Sequence, residues 1–186
     1  MNFIELYKFD ENICDNILSY YNSNKHLSKP GTFGDWEINN KSKESNDLGI
    51  QPGNFTVLES YLIELKKTLQ KYVDTHISKY LKHWGPIGIV EGINIQHYPP
   101  NGGYKIYHTE RSPETANREL VFMTYLTNTK NGGTHFINQN KTFECVKGDT
   151  LIWPADFTHI HKGVISNEEK IIITGWFSFK WLSKQI

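Results

Sequence analysis

Tyr104, Ile106, His108 and Glu110 alternate along the segment Tyr104-Lys105-Ile106-Tyr107-His108-Thr109-Glu110, and a strand period of two puts all four on one side. An imidazole and a carboxylate then point into the same space, where a buried carboxylate needs a partner charge or a metal. His159 and His161 offer a third donor from a distant part of the chain. Two histidines and one carboxylate on one face of an octahedral ion leave three adjacent positions open. With that arrangement iron(II) can hold a co-substrate and oxygen together. A lone His-x-Glu pair carries little of this by itself, because such pairs are also common among surface and core histidines.

A second pattern lies near the C-terminus. Residues 160–165, the turn Ser166-Asn167-Glu168-Glu169 and residues 170–179 read as an antiparallel hairpin with His161 opposite Thr174. On its second strand Lys170, Ile172, Thr174 and Trp176 share a face, so Lys170 points inward among apolar neighbours unless an anion receives it. Lys170 and Thr174 stand about 13 Å apart at roughly 3.3 Å per residue, a gap that a small dicarboxylate and a lysine side chain can bridge. The alternative for Lys170 is an exposed edge-strand lysine that blocks aggregation.

The elements that must position these groups follow from periodicity. Asp10 can cap a helix from Glu11 to about Tyr21, with Ile13, Ile17, Leu18 and Tyr21 on its apolar side. Residues 22–54, broken by Pro30, Gly31, Gly34, Gly49, Pro52 and Gly53, read as a long loop or edge insertion. A longer helix is predicted from near Phe55 to about His83, ended by Pro86, with a stripe running from Leu58 through Leu65 and Tyr72 to Tyr80 and Leu81. Beyond residue 88 the signal is β, with short segments near 89–98, 104–109, 119–126, 143–146, 150–153, 160–165 and 170–179. Two helices followed by seven or eight short strands imply an α+β fold, a jelly-roll (cupin-like) barrel buttressed by N-terminal helices. The chain length suits a single domain over 1–186, with 1–87 as helical support and substrate-side loop and 88–180 as the barrel.

Composition narrows the partners. Lys plus Arg and Asp plus Glu number 20 each, so the net charge is zero and no nucleic-acid partner held by phosphate contacts is expected. The aromatic fraction of 13% favours strands and pocket walls. Cys14 and Cys145 stand apart, as in a reducing compartment without structural disulfides. Neither a signal-peptide core nor a membrane span is visible, so a cytoplasmic protein without membrane association is expected. Oligomeric state is not encoded in any pattern found.

From Ile93 to Phe179 the chain resembles the 2-oxoglutarate and iron(II)-dependent oxygenase superfamily, in particular its prolyl 4-hydroxylase-like branch. The matching pieces, in the family's order, are Tyr98-Pro99, His108-Thr109-Glu110, Tyr125-Leu126-Thr127-Asn128, Gly132-Gly133-Thr134-His135-Phe136 and Lys147-Gly148-Asp149 leading to Trp153-Pro154. His161, Lys170 and Trp176 follow. The resemblance implies a double-stranded β-helix with His108, Glu110 and His161 as metal ligands, where Glu110 departs from the more usual Asp. It implies Lys170 as the partner of the distal carboxylate of 2-oxoglutarate, Tyr98 and Tyr125 as residues lining or bonding within that pocket, and Thr174 and Trp176 as its wall. His159 shares the strand parity of His161 and competes with it; the interval to Lys170 and Trp176 favours His161.

The implied reaction consumes 2-oxoglutarate and O2, with ascorbate as a reductant, releases succinate and CO2, and hydroxylates a C–H bond of a peptidyl proline or similar side chain. The alternatives are the same chemistry on a free amino acid or other small molecule, a cupin-like metal-binding protein without 2-oxoglutarate turnover, and a purely structural barrel. Rim candidates are Pro99-Pro100-Asn101-Gly102-Gly103 as a lid or an ordinary turn, the segment Arg111 to Arg118, and the stretch around Trp36. Arg118 can pair with a substrate carboxylate or with a neighbouring glutamate.

Overall fold

A computed structural model describes residues 2–33, 37–82 and 84–180. In chain order the elements are β1 (Glu5–Lys8), α1 (Glu11–Asn24), β2 (Lys29–Pro30), β3 (Lys43–Glu44), β4 (Asn46–Ile50), α2 (Glu59–His76), β5 (Ile87–Gly88), β6 (Ile93–Tyr98) and β7 (Gly103–Tyr104). There follow β8 (Arg118–Tyr125), β9 (Thr129–Phe136), β10 (Lys141–Cys145), β11 (Asp149–Pro154), β12 (His161–Gly163) and β13 (Lys170–Phe179).

A major sheet runs β1-β11-β8-β13-β6-β4-β2, with β5 also on β13, and the ten-residue β13 is held antiparallel by β8 on one side and β6 on the other. A three-stranded sheet, β10-β9-β12, and the pair β3-β7 complete the β-structure. This is the double-stranded β-helix architecture, with α1 and α2 as its N-terminal helices.

The major sheet is buried on both faces because its alternating residues serve two cores. Leu48, Ile93, Ile95, Leu120, Phe122, Ile171, Ile173 and Phe177 pack with Cys14, Ile17 and Tyr21 of α1 and Tyr61, Leu65 and Tyr72 of α2. Their neighbours in sequence, Tyr98, Val121, Met123, Tyr125 and Ile172, turn inward to join Phe136, Phe143 and Trp153. Each fully buried aliphatic or aromatic side chain contributes about 1.5–3 kcal/mol relative to exposure.

The predicted α1 is present, with the Asp10 side chain accepting from the Asn12 amide at 2.8 Å. The second helix is shorter than its pattern. Pro52–Leu58 is a 3-10 turn, so α2 starts at Glu59, and it ends at His76 where Ile77 leaves helical geometry (φ −121°, ψ −62°). Pro86 therefore does not set the end, and Tyr80 and Leu81, expected in the apolar stripe, are exposed; His83 lies outside the described residues.

Two further expectations change, and a third resolves to one of its alternatives. Residues 22–54 take the edge-insertion reading: β4 and β2 form one edge of the major sheet, β4 pairing with β6, Leu48 opposite Ile95, because Leu48 and Ile50 reach the helix-side core. The segment 104–109 is not a continuous strand, since β7 stops at Tyr104 and His108 is attached by a single bridge to His161. The 160–179 hairpin does not form. β12 pairs with β9, His161 opposite Phe136, while β13 pairs with β6 and β8, and residues 164–169 carry the chain from one sheet to the other. The partner was hidden because β9 contains Gly132 and Gly133 and reads as a turn; at Gly133 an added Cβ would collide with the Phe143 carbonyl oxygen, so the glycine is a close-approach residue within a strand.

Candidate metal centre and active site

His108 and His161, far apart in sequence, are joined by a reciprocal pair of backbone hydrogen bonds, each amide donating to the other's carbonyl at 3.0 Å. That bridge puts their ring centroids 4.3 Å apart. The chain after His108 is fastened to the end of β11: the Thr109 hydroxyl and the Glu110 and Arg111 amides all donate to the Ala155 carbonyl. Glu110 is thereby swung under both imidazoles, with Oε1 3.4 Å from His108 Nε2 and 3.6 Å from His161 Nε2.

The protonation pattern suits a cation. His108 Nδ1 lies 3.2 Å from the Ile106 carbonyl and His161 Nδ1 2.9 Å from the His159 carbonyl. A carbonyl only accepts, so each Nδ1 carries the hydrogen, and each neutral ring presents an Nε2 lone pair toward Glu110. Burial and the neighbouring His161 pull the His108 imidazole below its usual pKa, although Glu110 opposes them. Burial by itself raises the Glu110 carboxyl; an imidazole that gains a proton at Nε2 donates to it and faces it with positive charge, which outweighs burial and holds the carboxyl well below the usual range. The three donor atoms lie within 4.8 Å of one another, a cluster able to hold a metal ion, and two imidazoles with one carboxylate fit iron(II).

The eight site residues expected from the sequence, His108, Glu110, His161, Lys170, Tyr98, Tyr125, Thr174 and Trp176, line one cavity of about 880 Å³. Lys170 is only 5% exposed, and its ammonium donates to the Gly132 carbonyl at 2.8 Å and faces the Tyr98 ring at 5.1 Å from the centroid. It makes no salt bridge with a described carboxylate, and burial lowers its pKa to about 8. Tyr98 lies opposite Lys170 in the β6–β13 ladder and donates its hydroxyl to Gln96 Oε1 at 2.6 Å. Tyr125 donates to Thr134 Oγ1 at 2.7 Å, and Thr174 donates to the Phe122 carbonyl at 2.9 Å. The Trp176 indole N–H donates to Glu110 Oε2 at 2.9 Å.

His159 lies outside the cluster, with Nε2 2.7 Å from the Asn2 carbonyl and Nδ1 2.7 Å from the Thr158 hydroxyl. Arg118 takes the glutamate alternative: it forks onto Glu91 through Nε at 2.9 Å and Nη2 at 2.5 Å. The Pro99–Gly103 segment is a pinned turn, with Gly102 N bonded to the Pro99 carbonyl and Asn101 N to that of Ser166, both at 2.7 Å. Trp36 lies outside the described residues.

Sequence reasoning passed over several lining residues. Tyr104, placed on the face of His108 by alternation but given no role there, stacks on it, centroids 3.5 Å apart and planes 11° from parallel. Gln96 shares parity with Tyr98 and bonds onward to Asp47, which holds the buried Lys43 at 2.6 Å. Asp47 and Lys43 come from the region read as a loop or edge insertion, where no pattern marked them.

The family model described as the 2OG-Fe(II) oxygenase superfamily matches residues 93–178. No curated protein matches the sequence. Among solved structures, a Pseudomonas putida prolyl-4-hydroxylase is 14% identical with a TM-score of 0.73, covering 97% of this chain and 94% of its own. The viral collagen prolyl hydroxylase of Paramecium Bursaria Chlorella virus-1, a 2OG complex, is 16% identical with a TM-score of 0.70, covering 96% and 97%. A Trichoplax adhaerens prolyl hydroxylase, in complex with a hypoxia inducible factor oxygen degradation domain peptide fragment, is 18% identical with a TM-score of 0.71, covering 96% and 84%. At these identities the likeness is one of fold. Among the described residues, no helix is long and apolar enough to cross a membrane. Residues 93–178, the part that matches the 2OG-Fe(II) oxygenase superfamily model, contain the whole His–Glu–His cluster, and the two together support iron(II)- and 2-oxoglutarate-dependent dioxygenase chemistry.

Proposed function

We propose that the chain, acting as a single cytoplasmic domain, hydroxylates a C–H bond of a peptidyl proline or similar side chain at the expense of 2-oxoglutarate and O2, with ascorbate as reductant. His108, Glu110 and His161 would hold iron(II), and Lys170 the far carboxylate of 2-oxoglutarate. The observation that carries this reading is the buried Lys170 ammonium. It shares a cavity with the metal-binding cluster and has carbonyl and ring contacts but, among the described residues, no carboxylate. An uncompensated buried charge is costly, and a bound dianion supplies what is missing through a charge-assisted hydrogen bond.

When bound, iron(II) supplies the oxidising chemistry, in which 2-oxoglutarate loses CO2 to become succinate and one oxygen atom enters the substrate. The protein's own residues bind and orient. Lys170 fixes one end of the co-substrate, and Tyr98 presents its ring to that ammonium. Thr174, Tyr125 and Trp176 shape the wall. Phe136 and Trp153 give the His161 ring an apolar backing, their centroids 5.3 and 5.1 Å from its own.

The cavity continues past the cluster to Lys29, Thr32, Asn94 and Thr115, and its volume accommodates an amino-acid side chain beside 2-oxoglutarate. Solved relatives include prolyl hydroxylases, one of them with a peptide. These favour a peptide over a free amino acid. The test is succinate formation from 2-oxoglutarate under oxygen, with and without proline-rich peptide or free proline, using His161→Ala as the control. Peptide-dependent succinate with a matching 16-dalton gain on the peptide supports the proposal. Stimulation by free proline alone would transfer the activity to a small molecule, and no succinate with metal bound would leave a cupin-like binding protein.

A further inference from the structure

Glu110 has one more rotatable bond than an aspartate, so a carboxylate in this position can swing or turn both oxygens toward a cation. Contacts from Trp176 and Arg118, themselves braced, limit that freedom. Trp176 Nε1 donates to Oε2 at 2.9 Å, which leaves Oε1 as the oxygen facing both histidine Nε2 atoms. Arg118 Nη1 donates to the Glu110 main-chain carbonyl at 3.2 Å and stands 3.8 Å from Oε2. The Arg118 guanidinium also lies flat enough over the Trp176 ring to bring its carbon within 3.5 Å of the ring centroid. Glu91 in turn clamps Arg118 from behind with two hydrogen bonds, and the Arg118 side chain is only 14% exposed.

We infer that Glu91, Arg118 and Trp176 are positioning residues that tether Glu110 as a one-oxygen metal ligand, so that Trp176 serves the metal centre more than the co-substrate wall. This rests on the reading of His108, Glu110 and His161 as the metal site. The order of dependence is directional: Glu91 orients Arg118, Arg118 and the indole brace each other, and the indole N–H holds Oε2. Loss of such an outer partner costs about 10- to 100-fold in metal affinity.

The test is anaerobic titration of the full chain with Mn(II) and with Co(II), the latter read by its visible absorption, which reports coordination number and geometry. Trp176→Phe keeps a ring for Arg118 to cover but removes the N–H. It should weaken Mn(II) binding about 10- to 100-fold and shift the Co(II) spectrum as the freed carboxylate rotates. In a Glu110→Asp background the shorter side chain withdraws from the indole, so adding Trp176→Phe should cost less than about threefold, a coupling that a merely structural tryptophan would not show. Arg118→Gln provides a second route should Trp176→Phe fold poorly, with a smaller loss in the same direction. Unchanged Mn(II) affinity and Co(II) spectrum in Trp176→Phe and Arg118→Gln, or equal losses in the Glu110 and Asp backgrounds, would overturn the tether. A wild-type chain that binds neither ion would instead remove the metal site on which it stands.

Discussion

The two faces of the major sheet are made by the same strands and differ in nearly everything else. On the helix side of β6, β8 and β13 stand Ile93, Ile95, Leu120, Phe122, Ile171, Ile173 and Phe177, and the one polar cluster there closes on itself, Tyr61 with Thr124 at 3.1 Å and Thr124 with Thr150 at 2.7 Å. On the lumen side the alternate positions carry Gln96, Tyr98, Lys170, Thr174 and Trp176, with Glu110 and two histidines opposite. The polar groups of one face bond to each other; the other face holds an ammonium with no carboxylate partner among the described residues and a carboxylate beside two imidazoles. The difference teaches that the sheet's stability and its chemistry are separable by residue parity, with the apolar face offsetting the cost of burying charge on the other.

The sharpest way to break that separation is on the lumen side. His161→Ala should abolish metal binding, seen as loss of bound iron after desalting, while the far-ultraviolet circular dichroism stays that of the wild type. Next in size, Ile173→Ala on the helix side should destabilise by about 2–5 kcal/mol in denaturant melts without changing 2-oxoglutarate affinity. Lys170→Met, three residues away on the other parity, should be neutral or stabilising by about 1–4 kcal/mol, because an apolar side chain replaces a buried charge. A destabilising Lys170→Met beside a silent Ile173→Ala would reverse the comparison.

Titration sharpens it further. With its pKa pulled down to about 8 by burial, Lys170 is mostly charged, as the proposed anion receptor must be, only below that pH. The affinity for 2-oxoglutarate, followed by calorimetry from pH 7 to 9.5, should be flat at first and then fall by up to about tenfold per unit above pH 8. The sign for folding is opposite: the unfolded chain keeps a lysine proton that the folded one has lost, so this group adds stability as pH rises from about 8 toward the ordinary lysine value. The smallest effect belongs to His159→Ala, which removes the bond to the Asn2 carbonyl. It should cost about 1 kcal/mol of stability and leave metal affinity unchanged.

Much of the lumen face was legible from the chain because parity is a local property. Lys170, Ile172, Thr174 and Trp176 share a face whether β13 pairs with β12 or, as it does, with β6 and β8. The pairing itself was not legible: β9 hides behind Gly132 and Gly133, and without it the strand nearest in sequence seemed the natural partner for β13. The convergence of His108 and His161 depends on one backbone bridge, which no periodicity announces. Asp47 and Lys43 escaped for the related reason that β4 is five residues long and lies among glycines and prolines, so its place beside β6 is dictated by the core it meets. Trp176 was seen as wall because alternation gives a direction and not a bonding partner.

We propose that the lumen-side Lys170 ammonium receives the co-substrate at the metal centre. Calorimetric titration of 2-oxoglutarate into the iron(II)-loaded chain without oxygen, for the wild type and Lys170→Met at equal bound metal, tests it most directly. The account predicts binding by the wild type and a loss of about 10- to 100-fold in the variant, the worth of one charge-assisted hydrogen bond. Equal affinity in the two proteins would contradict it.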